Sequence, residues 1–250
     1  MPLDLTRFNA ALFDLDGVVT KTAAVHARAW QHLFNDYLRA DSIRTGRAFR
    51  PFDIEYDYRQ YVDGKPRYEG VKSFLDSREI ALPWGAPDDG PEEDTIYGLG
   101  NKKDGYFQKY LGETGVDVYP ETVRFLRMVR DHGMKTAVVS SSNHCAQVLD
   151  AAGLTSLFDT RIDGHETQRL HLRGKPAPDT FLEAARRLDV APQRAMVIED
   201  AQAGVEAGRN GGFGLVIGLD HRNQAEALRQ HGADIVAADL AEFLPHDSQT

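Results

Sequence analysis

The 250 residues predict an open, doubly wound parallel α/β sheet with an inserted helical subdomain. Three observations carry that reading. From about residue 119 onward, short apolar runs alternate with amphipathic stretches at helical spacing, the pattern of parallel strands covered on both faces. One more apolar run, Ala10 to Leu15, stands alone far upstream. Between about 20 and 118 the chain reads as helical and offers no convincing strand. The expected domains are a core of residues 1–19 and 119–250 and a helical insertion of residues 20–118.

Taken in order, Ala10 to Leu15 is the first strand. In the insertion, Thr22 to Leu38 places Val25, Trp30, Leu33, Phe34, Tyr37 and Leu38 roughly on one helical face, and Val71–Leu75 and Tyr106–Leu111 look helical too. The stretch 83–101 is rich in Pro, Gly and acids, and its five acids between Asp88 and Asp94 are expected to form a solvated loop instead of a cation site. The remaining strands are Met134 to Ser140, a weaker Leu157 to Ile162, Ala195 to Asp200, Phe213 to Leu219, and Asp234 to Val236. Helices are expected at 121–132, 143–152, 178–188, 201–210 and 222–231. Gly133, Gly153, Gly211 and Gly232 stand where a left-handed residue ends a helix, and Pro178-Asp179 suits a first helical turn. About six strands fall short of the eight that a closed (β/α)8 barrel needs.

Composition narrows the function. With 38 acids against 29 bases and a formal net charge of −9, the chain is not a basic nucleic-acid binder, which would need cationic surface to displace counterions from phosphates. Of the 38 acids, 25 are Asp, so an Asp motif must be judged by its position as well as its letters. The single cysteine, Cys145, allows no internal disulfide and no Cys-x-x-Cys zinc pair, which points to a reducing cytoplasm. No run of about 18 apolar residues exists to span a membrane, and the start MPLDLTRFNAALFDLDGVV lacks a signal-peptide apolar region.

Four strand ends carry the candidate chemistry. Asp14-Leu15-Asp16-Gly17 puts two carboxylates on one side of a strand at its carboxyl end, the edge where open α/β sheets bind ligands. Such a pair must be offset by a cation, a raised pKa or hydrogen bonds, unless it serves merely as a turn or helix cap. An EF-hand is excluded because Gly17 stands at position four and Val25 at position twelve. Next, Ser140, Ser141, Ser142 and Asn143 lead from a strand into a helix, where hydroxyls and N–H groups suit phosphate oxygens, with simple N-capping as the alternative. Lys175, held between Gly174 and Pro176, is either a point charge for phosphate or a solvated loop lysine. Finally, Glu199 and Asp200 end an apolar strand and could join Asp14 in an all-oxygen site suited to Mg²⁺, or Asp200 could simply cap the next helix.

The conjunction of acid pair, hydroxyl, lysine and acid pair at successive strand ends resembles the haloacid dehalogenase superfamily of phosphotransferases, whose core is Rossmann-like. The matching segments are DLDGVVT at 14–20, VVSSSN at 138–143, GKPAPD at 174–179 and VIEDAQAG at 197–204. Within it, DLDGVVTKTAAVHARAW, from Asp14 to Trp30, is very similar to the β-phosphoglucomutase branch, which carries a helical cap at the place of the insertion. The resemblance implies Asp14 as a nucleophile forming an aspartyl-phosphate and Asp16 as general acid/base, with Thr22 and His26 bearing on Asp16. His26 is otherwise an ordinary polar position on a helix. Mg²⁺ would be held by the Asp14 carboxylate, the Asp16 carbonyl and Asp200, with Glu199 beside it. Gly17, Ser140, Ser141, Ser142 and Lys175 would receive the transferring phosphate, while Arg67 and Lys102 on the cap would receive a second one.

A carboxylate attacking phosphorus is electrostatically poor until cations neutralise the phosphoryl oxygens, so such residues work by positioning and charge compensation. The leading expectation is a mutase acting on a sugar phosphate, and a sugar-phosphate phosphatase is the alternative. Lys21 and Asn143 stand where close relatives of that branch carry Asp and Lys. A non-enzymatic phospho-acceptor module of the receiver type is disfavoured, since receivers are about half this length. The expected partner is a small sugar phosphate, with no nucleic acid and no membrane, on a chain expected to be monomeric.

Overall fold

The computed structural model describes residues 3–245. The chain forms two compact units, one from the residues up to Lys21 together with those from Val116 onward, the other from Thr22–Gly115. In chain order the elements are β1 (Ala10–Phe13), α1 (Ala23–Thr45), α2 (Arg67–Ser77), α3 (Ile96–Thr114), α4 (Pro120–Asp131), β2 (Lys135–Val139), α5 (Cys145–Ala151), β3 (Thr160–Ile162), α6 (Gly164–Arg169), α7 (Asp179–Arg187), β4 (Ala195–Glu199), α8 (Gln202–Asn210), β5 (Leu215–Leu219), α9 (Ala225–Gln230) and β6 (Ile235–Ala237).

The first unit is a six-stranded parallel sheet in the order β3-β2-β1-β4-β5-β6. The chain winds outward from β1 through β2 to β3 on one side, and from β4 through β5 to β6 on the other. The order therefore reverses at β1, and the carboxyl ends of β1, β2 and β4 border the crevice where such sheets bind ligands. Every residue of β1 and β4 is buried, because helices cover both faces, and their near-continuous apolar runs follow from that. Register is fixed by pairs such as Phe13 with Val138 and with Ile198, so the residues just beyond these strands emerge side by side.

Several boundaries differ from the sequence expectation for local reasons. The left-handed residue after α8 is Gly212, with φ +65°, not Gly211, which keeps a right-handed φ of −77°. Leu157 lies in a 3-10 turn, so the third strand starts only at Thr160. The last helix begins at Ala225 instead of 222, because the Asp220 carboxylate accepts the N–H groups of Arg222, Gln224 and Ala225 and wraps that stretch into a turn. The short helix α6 was not anticipated; Asp163 caps it by accepting Glu166 N–H at 3.0 Å.

The second unit is helical, without a strand, and α1 packs along α3. Its core is aromatic: Phe34 lies 4.0 Å from Phe74 and 5.2 Å from both Trp30 and Phe52, centroid to centroid. Thr95 caps α3 by accepting Gly98 N–H. In the acidic loop before it, Asp88, Glu92, Glu93 and Asp94 are exposed, while Asp89 instead accepts the Thr95 hydroxyl at 2.6 Å. Among the described residues no helix is long and apolar enough to cross a membrane.

Candidate active site

Strand pairing places the first acid. Asp14 directly follows β1, and its N–H still donates to Ile198 at 2.9 Å, so the ladder is held one residue past the strand. The chain then turns sharply at Gly17, with φ +102°, where a Cβ would stand 2.1 Å from Asp200 Oδ2. Only glycine permits both that backbone and that approach. Ser140, just past β2, is pinned by its N–H to Ile162 at 2.9 Å. Glu199 ends β4 and Asp200 follows it, both buried.

Lys175 ties these ends together from the loop before α7. Its Nζ donates to Asp14 Oδ1 at 2.5 Å, to Glu199 Oε1 at 2.6 Å and to the Val139 carbonyl at 2.9 Å, which satisfies all three of its protons. The side chain is 1% exposed, so it is not a solvated loop lysine. Burial opposes its charge, but Asp14 and Glu199 more than reverse that and hold the ammonium above its ordinary pKa.

Asp14 is the overcharged partner. Burial pushes its carboxyl well above the usual range, and Glu199 and Asp16 add to the push while Lys175 works against it. One ammonium among Asp14, Glu199 and Asp200 leaves surplus negative charge in a dry site. Carboxylate oxygens of those three residues lie within 4.8 Å of one another, an all-oxygen donor set that fits a hard divalent cation. Glu199 is already engaged, its Oε2 accepting the N–H groups of Asp200 and Ala201 at 3.0 Å. Through the first of these bonds Glu199 fixes the backbone of Asp200.

The Asp16 side chain is not part of that cluster. Its Oδ2 accepts the Ser140 hydroxyl at 3.2 Å, while Ser140 Oγ also accepts Ser142 N–H at 3.1 Å. The Ser142 hydroxyl accepts His144 N–H at 3.1 Å, and the capping position of α5 falls to His144, with no side-chain cap from Ser142 or Asn143. Ser141 lies between them, part-buried. Asp200 likewise does not occupy the capping position of α8, which falls to Ala201.

Two contacts here were not foreseen. Gln224 donates its amide to the Asp200 carbonyl at 2.8 Å, and an Arg222 guanidinium nitrogen lies 3.9 Å from Asp200 Oδ2. A second Cβ clash marks the other side of the site: a side chain at Gly204 would come within 1.7 Å of Glu199 Oε1. Gly204→Ala should therefore displace Glu199, with a cost of about 1–3 kcal/mol in urea unfolding and a clear loss of turnover. A fully stable and active variant would show that Glu199 has room to move.

The second unit holds four of the expected residues. Thr22 is buried immediately before α1 and makes no side-chain cap. On α1, the His26 ring stacks on Phe107 at 4.0 Å, and its Nδ1 lies 2.6 Å from Lys103 Nζ. Arg67 opens α2 and pairs with Asp104 at 2.6 Å. Lys102, expected as the second cation, lies 3.5 Å from Glu92; the buried lysine is its neighbour Lys103, over Trp30 and Phe107. The signal was present: Leu99, Lys103 and Phe107 recur every fourth residue, so a lysine stands in the apolar stripe of α3.

Fold and site together define an enzyme of phosphoryl transfer, in which carboxylates at strand ends are set against one buried lysine. A model of the haloacid dehalogenase-like hydrolases matches residues 8–212, and the chain belongs to that family. It falls in the β-phosphoglucomutase-like branch. A β-phosphoglucomutase of Mycobacterium bovis is 48% identical over 241 residues, covering 95% of this chain and 92% of that protein. One from Bacillus subtilis is 30% identical over 242 residues, covering 95% and 94%. The crystal structure of a β-phosphoglucomutase from Clostridium difficile aligns with a TM-score of 0.73 at 26% identity, over 95% of this chain and 93% of that one.

Proposed function

We propose that this chain is a Mg²⁺-dependent β-phosphoglucomutase, interconverting β-glucose 1-phosphate and glucose 6-phosphate through the 1,6-bisphosphate in the cytoplasm, as a monomer. The observation that carries the reading is the Lys175 ammonium bound at once to Asp14, Glu199 and the Val139 carbonyl. It holds the Asp14 carboxylate at the sheet edge and stands ready to meet the phosphoryl oxygens as they acquire charge. Asp14 Oδ attacks phosphorus, an O–P bond forms as the bond to the leaving sugar oxygen breaks, and Asp16 gives that oxygen its proton. In the second half the bisphosphate forms when Asp16 takes a proton from the incoming hydroxyl, which then attacks the aspartyl-phosphate.

Gly17, Ser140, Ser141 and Ser142 are assigned to the transferring phosphoryl group, the serines through their hydroxyls. Asp14 and Asp200, with the Asp16 carbonyl, would hold Mg²⁺, which would supply neutralisation of the phosphoryl oxygens. Arg67 and Lys102 are assigned to the phosphate that does not transfer, and Thr22 and His26 to the proton chemistry.

The same first half-reaction followed by water would make a sugar-phosphate phosphatase, the reading favoured by the hydrolase description of the matched family. Incubation with Mg²⁺, β-glucose 1-phosphate and a trace of bisphosphate, with glucose 6-phosphate and free phosphate measured separately, decides between them. Rapid phosphate release without isomerisation would sink the mutase reading. Arg67→Ala gives a second test: a mutase should lose about 10²-fold or more in kcat/KM, whereas hydrolysis of a small phosphate ester should hardly change.

A further inference from the structure

The second unit contains a cavity of about 460 Å³ that the proposed reaction does not use. It lies where the C-terminal end of α1, the irregular residues after it and the end of α2 meet, and its polar lining includes Ser42, Arg47, Arg50, Ser77, Arg78 and Glu79. This concavity opens to solvent, and its volume falls in the range of small-molecule sites. The wall is built by the end of α2, where Glu79 takes a left-handed φ of +57° and returns Ile80 to the core, 8% exposed.

Charge is segregated here. In a chain of net charge −9, residues 39–50 (RADSIRTGRAFR) contain four arginines and a single acid, Asp41. Asp41, also in the lining, is taken by Arg44 at 2.9 Å. Arg78 pairs with Asp57 at 2.6 Å and keeps a buried Nε–H without an acceptor. Arg47 and Arg50 are exposed and have no carboxylate partner among the described residues, and of the lining acids Glu79 alone stands unpaired against them. Two uncommitted guanidinium groups therefore face a concave space framed by two ion pairs.

We propose that this cavity binds a small phosphorylated compound, with Arg47 and Arg50 as the phosphate-binding groups and Arg78 behind them. Guanidinium forks match phosphate oxygens in pairs. A concave site of this size suits a small molecule better than a macromolecular face. The proposal does not rest on the reaction assigned to the sheet edge.

The full chain, labelled with ¹⁵N at arginine and free of Mg²⁺, can be titrated with inorganic pyrophosphate while the arginine Nε–H signals are followed, with Arg47→Ala and Arg50→Ala giving the assignments. Saturable movement of both signals is expected, weakened by salt. By calorimetry the double variant Arg47→Ala/Arg50→Ala should lose this binding class by at least about tenfold, keep any class at the sheet edge, and retain the parent's turnover and melting temperature. Signals that stay unmoved, or equal pyrophosphate affinity in parent and variant, would overturn the proposal. So would tighter binding of an oligonucleotide or an acidic peptide to the same arginines, which would make the surface a macromolecular dock.

Discussion

Lys175→Met should destabilise the metal-free protein by about 3–5 kcal/mol and abolish phosphoryl transfer. Methionine keeps the length of the side chain and fills most of its space, so the loss reports charge and hydrogen bonds more than a cavity. In the parent, one ammonium answers Asp14 at 2.5 Å and Glu199 at 2.6 Å in a place where water does not reach. Removing it leaves two buried carboxylates beside Asp200. One of them must take up a proton or the fold must pay their desolvation.

The dependence on pH gives the sign. Because the folded pKa of Lys175 is raised, its contribution is fully present below its ordinary value near 10.5 and is lost only as pH climbs through the folded value. Across neutral pH the parent is therefore insensitive to this group, whereas the variant should weaken steadily as pH rises above the ordinary carboxylate range. Mg²⁺ should restore part of the loss, since a divalent cation can stand in for the missing charge. Urea unfolding with and without Mg²⁺ at several pH values measures all of this. Parent-like stability in the metal-free variant would remove the case for Lys175 as the group that neutralises the site.

The sheet edge was legible because its strands are apolar throughout and end abruptly in charge. Ala10–Phe13 and Ala195–Glu199 announce their own carboxyl ends, and the residues that follow must emerge at the crevice once the strands pair in register. Lys175 was legible through its Gly-Lys-Pro setting, although its burial was not, since local sequence does not say which strand end a loop side chain will reach. Gln224 and Arg222 were invisible for the same reason: they approach Asp200 only because β5 lies beside β4. Lys103 was missed differently. Hydrophobic periodicity treats a lysine in an apolar stripe as a blemish, whereas here the His26 nitrogen and two aromatic faces accept it.

Asp14→Asn should cut turnover by about four orders of magnitude while leaving the metal-free protein as stable as the parent or more so. The two halves of that expectation come from one fact: the Asp14 carboxyl has its pKa raised by burial, with Glu199 and Asp16 adding to the effect. A carboxyl whose folded pKa is raised contributes most at low pH, and that contribution drains away from the ordinary carboxylate range upward to the folded value. Asparagine has the same shape and no charge to desolvate, so the stability gap in its favour should open from about pH 4 upward. Nucleophilicity needs the charge that stability resists, and a divalent cation on the carboxylate cluster of Asp14, Glu199 and Asp200 would reconcile them. Acid quenching with labelled substrate supplies the chemical readout, with phosphate on the parent protein and none on the variant. If the variant still turned over within tenfold of the parent, Asp14 would not be the nucleophile. The covalent step would then have to pass to Asp16, whose carboxylate is held by Ser140 and lies outside the cation cluster.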